Sequence, residues 1–273
     1  MTTLLVVTCD EHVNCSLGLC VQPVQADAGG TFYPSKTQRV IAAAWGQFWD
    51  TVEATAEAEH ADAIWWLNNG DALDLNKHDK LAPITQNRAR IMDLGLATYK
   101  RPAALAARRF IVRGTEAHNG EHCDLEELLG RDLEAEVCPD DGAPAWWKIE
   151  LECEGVRFEA MHHPKTTGST PWTRNGAASR LATEVAFEYL ERGERPPDVC
   201  LRGHIHRATD SGMVLKPRVF TVPGWQALNP YAYRRGFFLP GAIGGMWFVC
   251  RDGQYREALW QRQPKRQAIW KAS

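Results

Sequence analysis

The stretch LRGHIHRA, residues 201–208, sets His204 and His206 two positions apart, directly after Gly203 and between Arg202 and Arg207. On a strand end or in a tight loop, an i, i+2 pair can aim both rings at one point; on a helix the same spacing splays them apart. The residues before it, PPDVC (196–200), read as a strand delivering the pair to a loop. Two neighbouring histidines are also common as plain polar surface residues. The choice between those readings lies in what the rest of the chain brings to the same place.

Upstream, TLLVVT (3–8) is a short β-branched run that stops at an acidic loop, as a buried first strand does. Residues 38–60 carry apolar positions at helical spacing. ADAIWWLNNGDALD (61–74) reads as a second buried strand breaking at Asn-Asn-Gly. Residues 84–109 are helical in the main, with an interruption expected near Pro102, and RFIVRG (109–114) gives a third strand. The segment 145–164 then reads as a hairpin around Glu154-Gly155, and 175–194 as a helix closed by Gly193. The part from 207 to 262 is strand-rich, with RDGQ (251–254) as a hairpin turn, and 263–273 form a short basic tail. No internal repeat or low-complexity linker divides the chain, so residues 1–273 read as one α/β domain, two β-rich halves with helices outside.

Composition narrows the function classes. The chain is 44% hydrophobic and 24% charged, as soluble globular proteins are. A net charge of −3 provides no global basic field for a nucleic acid. Eight cysteines are scattered without a C-x-x-C pair, which predicts reduced core thiols and a cytoplasmic location. The start, MTTLLVVTCDEHVN, has no basic region and only a short apolar run, unlike a secretory signal. No stretch approaches the roughly 18 apolar residues of a membrane span, so no membrane partner is expected. There is no G-x-S-x-G elbow and no phosphate-binding G-x-x-x-x-G-K-[ST] loop.

Five polar clusters, each after an apolar strand, hold most of the histidines. They are DEH (Asp10, His12), GDALD (Asp71, Asp74), GTEAH (Glu116, His118), HHP (His162, His163) and GHIH (His204, His206). Singly, a strand-end Asp is an ordinary helix cap and a Gly-Asp an ordinary turn. Five in order, with D-x-H and H-x-H pairs at loop mouths, are not what core histidines produce. Imidazole and carboxylate together suit Zn, Mn, Fe and similar ions.

In this order the clusters resemble the signature of the calcineurin-like metallophosphoesterases: D-x-H, G-D-x-x-D, G-N-H-D/E, H, G-H-x-H. The match spans residues 10–206, about three quarters of the chain. The resemblance implies a four-layer α/β/β/α sandwich of two mixed β-sheets with helices outside, and two divalent or trivalent ions at the strand ends. Carried over, it places Asp10, His12 and His206 on one ion, His162 and His204 on the other, and Asp71 between them. His163 then either supports a ligand from behind or faces the substrate.

The third block departs from the pattern. Gly-Asn-His becomes Gly114-Thr115-Glu116-Ala117-His118, so the Asn ligand is missing and the His falls two residues late. Glu116 can replace the Asn as an oxygen ligand. His118 can keep the acid role, protonating a leaving alkoxide, or can itself ligate and leave that role to His163 or water. The favoured arrangement has Glu116 or Thr115 near the metal and His118 as the acid.

Around the site, Asn69 and Arg207 are candidate substrate contacts, and Trp172, in the rim segment 165–176, is a candidate stacking residue. The expected activity is hydrolysis of phosphate mono- or diesters, on a small molecule or a nucleic acid, by a hydroxide that two metals generate. Two alternatives stand beside it: a non-catalytic scaffold with the same fold, for which the altered third block speaks, and a hydrolase acting on a non-phosphate bond.

Overall fold

The computed structural model describes residues 1–75, 83–165, 173–213, 216–228 and 241–263. The first strand, β1 (Thr2–Thr8), is buried along its whole length. Its side chains alternate as a pleat requires: Leu4 and Val6 enter one core, Leu5 and Val7 another. A strand apolar on both faces needs a cover on each side, and this requirement builds the layers.

After a short hairpin of two-residue strands, β2 (Val24–Gln25) and β3 (Thr31–Phe32), comes α1 (Lys36–Ala58). Ser35 begins it with a capping box: Ser35 Oγ accepts from Gln38 N, and Gln38 Oε1 accepts from Ser35 N. Ile41, Ala44, Trp45, Phe48, Trp49 and Val52 fill one face at helical spacing. β4 (Ala63–Asn68) follows, then α2 (Arg88–Leu105), β5 (Arg108–Ile111), the single turn α3 (Glu116–Asn119) and α4 (Asp124–Asp132). α2 runs through Pro102, where the sequence predicted an interruption. The ring falls in the last turn, so few helical bonds lie beyond it to be disturbed.

The hairpin expected around Glu154-Gly155 is β6 (Ile149–Cys153) and β7 (Val156–Met161), and the helix after it is α5 (Arg174–Glu191). β8 (Val199–Arg202) feeds the paired histidines. β9 (Thr209–Asp210), β10 (Arg218–Thr221), β11 (Ile243–Arg251) and β12 (Gln254–Arg262) complete the described chain. One sheet has the order β12-β11-β1-β4-β5, the other β6-β7-β8-β10-β9. Both are mixed, with β1, β4 and β5 parallel in the first and β7, β8 and β10 parallel in the second.

Leu5, Val7, Leu67 and Phe248 of the first sheet meet Phe158, Val199, Leu201 and Phe220 of the second in one apolar layer. The first sheet's other face packs on α1, α2 and α4, and the second sheet's on α5 through Leu181, Val185, Cys200 and Val219. The result is the four-layer α/β/β/α sandwich. Among the described residues no helix is long and apolar enough to cross a membrane. The two parallel strand sets end at the same edge, where open α/β sheets form their sites.

Candidate metal centre

At that edge each strand breaks into a loop with an unusual backbone. Asp10, His12, Asn14, Asp71, His204 and His206 all have positive φ, between 45° and 86°. Left-handed backbone costs a non-glycine residue about 1–2 kcal/mol, and Asp, Asn and His accept it most readily. Such strain persists where surrounding contacts over-determine it. Here Asp10 N donates to Gly70 O, His12 N to Asp71 O and Val13 N to Ala72 O, zipping the first two loops together. His204 N donates to Asp10 Oδ2, and Trp225 N to Asp10 O. With left-handed residues at i and i+2, His204 and His206 leave the strand toward two neighbouring groups of ligands.

One group is Asp10, His12 and His206. His206 Nε2 lies 3.2 Å from Asp10 Oδ1 and 3.1 Å from His12 Nε2. A second group joins Asp10, Asp71 and His162, with His162 Nε2 3.0 Å from Asp71 Oδ2. His162, His163 and His204 form a third. Asp71 is held from behind, its Oδ1 accepting from Thr115 N (2.6 Å) and Asn119 Nδ2 (3.0 Å). At the back, His118 Nδ1 lies 3.2 Å from Asp74 Oδ1, and the His118 ring meets the edge of His12 at 4.5 Å.

The electrostatics favour a cation. Burial opposes charge on Asp10, yet His206 and His162 hold its carboxyl well below the usual range; His162 and His118 do the same for Asp71. Burial lowers His162, but Asp71 and Asp10 outweigh it and raise the ring to about 10. Burial lowers His118 as well, and the hydrogen bond to Asp74 together with Asp71 brings it up to about 9. Burial and the adjacent His162 push His204 down to about 4.

Four buried side-chain atoms without a well-directed hydrogen bond lie in the same place: Asp10 Oδ1, His12 Nδ1, Asp74 Oδ2 and His162 Nε2. His162 Nδ1 is committed to Asn69 O at 2.7 Å, so Nε2 is the nitrogen turned to the centre, where a bound cation would displace its proton. Orphaned buried donors and acceptors are costly, and an ion coordinated by carboxylate and imidazole satisfies them. The residues fit a metal centre.

No family model and no curated protein matches the chain. Solved structures do resemble it. The chain is similar to Vps29 from Entamoeba histolytica at 11% identity, covering 95% of this chain and 99% of that one, with a TM-score of 0.38. Likeness to a dimetal phosphatase from Danio rerio has 10% identity, coverage of 94% and 95%, and a TM-score of 0.45. For YfcE, a phosphoesterase from E. coli, the values are 14%, 93% and 98%, and 0.39.

The structure gathers Asp10, His12, Asp71, His118, His162, His163, His204 and His206 around one centre. It does not bring Glu116 there. α3 turns that carboxylate outward, exposed, with His122 Nδ1 4.0 Å from its Oε1. Thr115 lies in the cluster instead, its Oγ1 3.1 Å from Asp71 Oδ2. Asn69, a candidate substrate contact, is fully buried, its Nδ2 donating to Met161 O and its backbone carbonyl meeting His162 Nδ1. Arg207 is half-buried, with its carbonyl accepting from Thr221 Oγ1. Trp172 and residues 264–273 of the tail lie outside the described residues. Arg202, beside the histidines in sequence, is buried against Glu159 at 2.5 Å.

Two carboxyls that sequence reading passed over support the loops. Glu126 of α4, fully buried, accepts from Ala72 N at Oε1 and from Gly114 N at Oε2, bracing the second and third loops from behind. Burial, then Asp71, push it up to about 8. Glu11 accepts from Asn68 Nδ2 beneath the first loop, and burial pushes it up to about 7. The available signal for Glu126 was a carboxylate on the apolar face of an amphipathic turn, between Leu125 and Leu129.

Proposed function

We propose that the protein is a metal-dependent phosphoesterase. The observation that carries this reading is the joining of two ligand groups by the two aspartates at their centre, amid orphaned buried polar atoms. Asp10, His12 and His206 would hold one ion, His162 and His204 the other, with Asp71 between them. Bound there, a pair of such ions supplies Lewis-acid polarisation of a phosphoryl oxygen and a nucleophile from water at neutral pH.

The chain's own residues provide the rest. Asp74 accepts from His118 Nδ1, which fixes the ring and leaves Nε2 to donate a proton to the departing oxygen. Asn69 sets the His162 tautomer through its carbonyl. Thr115 N and Asn119 keep Asp71 Oδ1 occupied, so Oδ2 faces the ligands. The strained loops arrive already shaped, which limits reorganisation on binding.

The test is elemental analysis of the purified protein, together with manganese-supplemented hydrolysis of p-nitrophenyl phosphate and bis(p-nitrophenyl) phosphate. Two ions per chain and metal-dependent turnover are expected, and the faster substrate separates monoesterase from diesterase. No bound metal after reconstitution with zinc or manganese, and no turnover of either compound, would refute the reading in favour of a non-catalytic scaffold.

A further inference from the structure

The altered third block leaves a gap in the second ligand group. The resemblance places a side-chain amide at position 115, and this chain has a threonine, whose shorter side chain ends sooner. The gap has a neighbour. His163 Nε2 lies 3.2 Å from Thr115 Oγ1, and His204 Nδ1 lies 3.3 Å from that same oxygen. Thr115 Oγ1 is also 3.1 Å from Asp71 Oδ2, which in turn is 3.0 Å from His162 Nε2. Three imidazoles and a carboxylate therefore converge on one small volume. One nitrogen from each of His162, His163 and His204 lies within 4.8 Å of the others.

We propose that His163 is a ligand of the second ion, replacing the missing amide with a third imidazole. This rests on the phosphoesterase reading above and changes its chemistry. An amide oxygen is a hard donor that Mn and Mg share readily; a set of three imidazoles and one carboxylate favours Zn, Co, Ni or Fe. The other group, Asp10, His12 and His206, keeps its carboxylate and two imidazoles. The two positions thus differ in softness, and the one holding His163 is the more zinc-selective. Adjacent residues on a straight strand face opposite sides, so two consecutive ligands require a bend. The chain bends at 162–163, directly after β7, and the two rings meet edge to face at 4.9 Å.

The experiment uses the metal-free full chain titrated calorimetrically with zinc, and its Co(II) form observed by visible absorption. Wild type is expected to take up two ions. His163→Ala is expected to bind the first unchanged, which shows that it folds, and the second more than about 100-fold more weakly, beyond the about 10- to 100-fold loss usual when only a partner of a ligand is removed. Its Co(II) ligand-field bands should shift, and adding Thr115→Asn should recover second-site binding. Unchanged second-site affinity and an unchanged Co(II) spectrum in His163→Ala would overturn the proposal while leaving the two-metal reading intact. A wild type that takes up no second ion would overturn both.

Discussion

Gly114→Ala tests whether the second and third loops are as tightly coupled as their geometry implies. Gly114 ends the extended run after β5, and its N donates to Glu126 Oε2 at 2.6 Å. A Cβ there would fall inside the van der Waals envelope of Asp71 N and Oδ1, and 2.9 Å from Asp71 Cα. All three are buried, and two are backbone, so no flexible tip can swing aside. Gly114 lacks a left-handed φ, so the cost is steric alone. Overpacking of this kind costs about 1–3 kcal/mol. If the loop retreats to relieve it, Glu126 Oε2 loses its donor, adding about 1–3 kcal/mol for an unsatisfied buried group. The sum, roughly 2–6 kcal/mol, corresponds to a Tm lower by at least about 4 °C at 2–4 °C per kcal/mol. Thermal melts followed by circular dichroism, with and without zinc, read both the loss and the displaced Asp71 through weakened zinc stabilisation. Gly46→Ala on α1 is the control: its Cβ meets nothing within 4 Å, and it should gain up to about 1 kcal/mol of helix propensity. A Gly114→Ala protein with wild-type Tm and zinc response would refute the close-approach argument.

Arg202→Met leaves the Glu159 carboxylate, 4% exposed, with Lys148 at 3.5 Å as its remaining cation among the described residues, and should cost about 3–5 kcal/mol in urea unfolding; Glu159→Leu added to it should restore most of that. Asp198 bears on acid stability. Burial raises its pKa, but Lys216, the Arg157 N–H and Arg195 hold it below the ordinary value. A depressed folded pKa gives stability that is present above the unfolded value, about 3.9, and lost as pH falls through the folded one. Asp198→Asn should therefore be less stable at neutral pH yet show a flatter loss below pH about 4 in a pH series of melts. His118→Asn should lower turnover by about 10²- to 10⁴-fold with metal content unchanged, as removal of a general acid does. An equal loss of bound metal would make His118 a ligand instead.

The candidate ligands legible in the sequence come in short-range patterns. Asp10 with His12, and His204 with His206, are i, i+2 pairs after apolar runs, and Gly70-Asp71 is a turn at a strand end. All six residues tested by those patterns lie at the strand-end edge. His118 was legible as a chemical type but not as a position. It falls two residues late, and the single turn of α3 carries it round to meet Asp74. Glu116, on the same turn, faces away; nothing in GTEAH distinguishes an inward from an outward side of a helix four residues long. Asn69 reads in sequence as a polar residue at a strand end, and the fold buries it, its Nδ2 on Met161 O and its carbonyl on His162.

By itself the sequence determined the local structure: β1 by its alternating apolar faces, α1 by the Ser35–Gln38 box and its apolar stripe, the β11–β12 hairpin by Asp252-Gly253. It also determined which loops bring Asp and His side chains to the strand ends, because both tolerate left-handed backbone and lie within a few residues of each strand. Only the tertiary structure decided the partners: His163 beside Thr115, Glu126 beneath Gly114 and Ala72, Arg202 on Glu159, and β11 returning to the first sheet after β10 has joined the second. These contacts join residues 54 positions apart in the case of Glu126 and Ala72, and 249 apart where β11 pairs Arg251 with Thr2 of β1. Local propensity reaches only a turn or two along the chain, whereas a hydrogen bond or a coordination sphere depends on distances of about 3 Å that packing of the four layers sets.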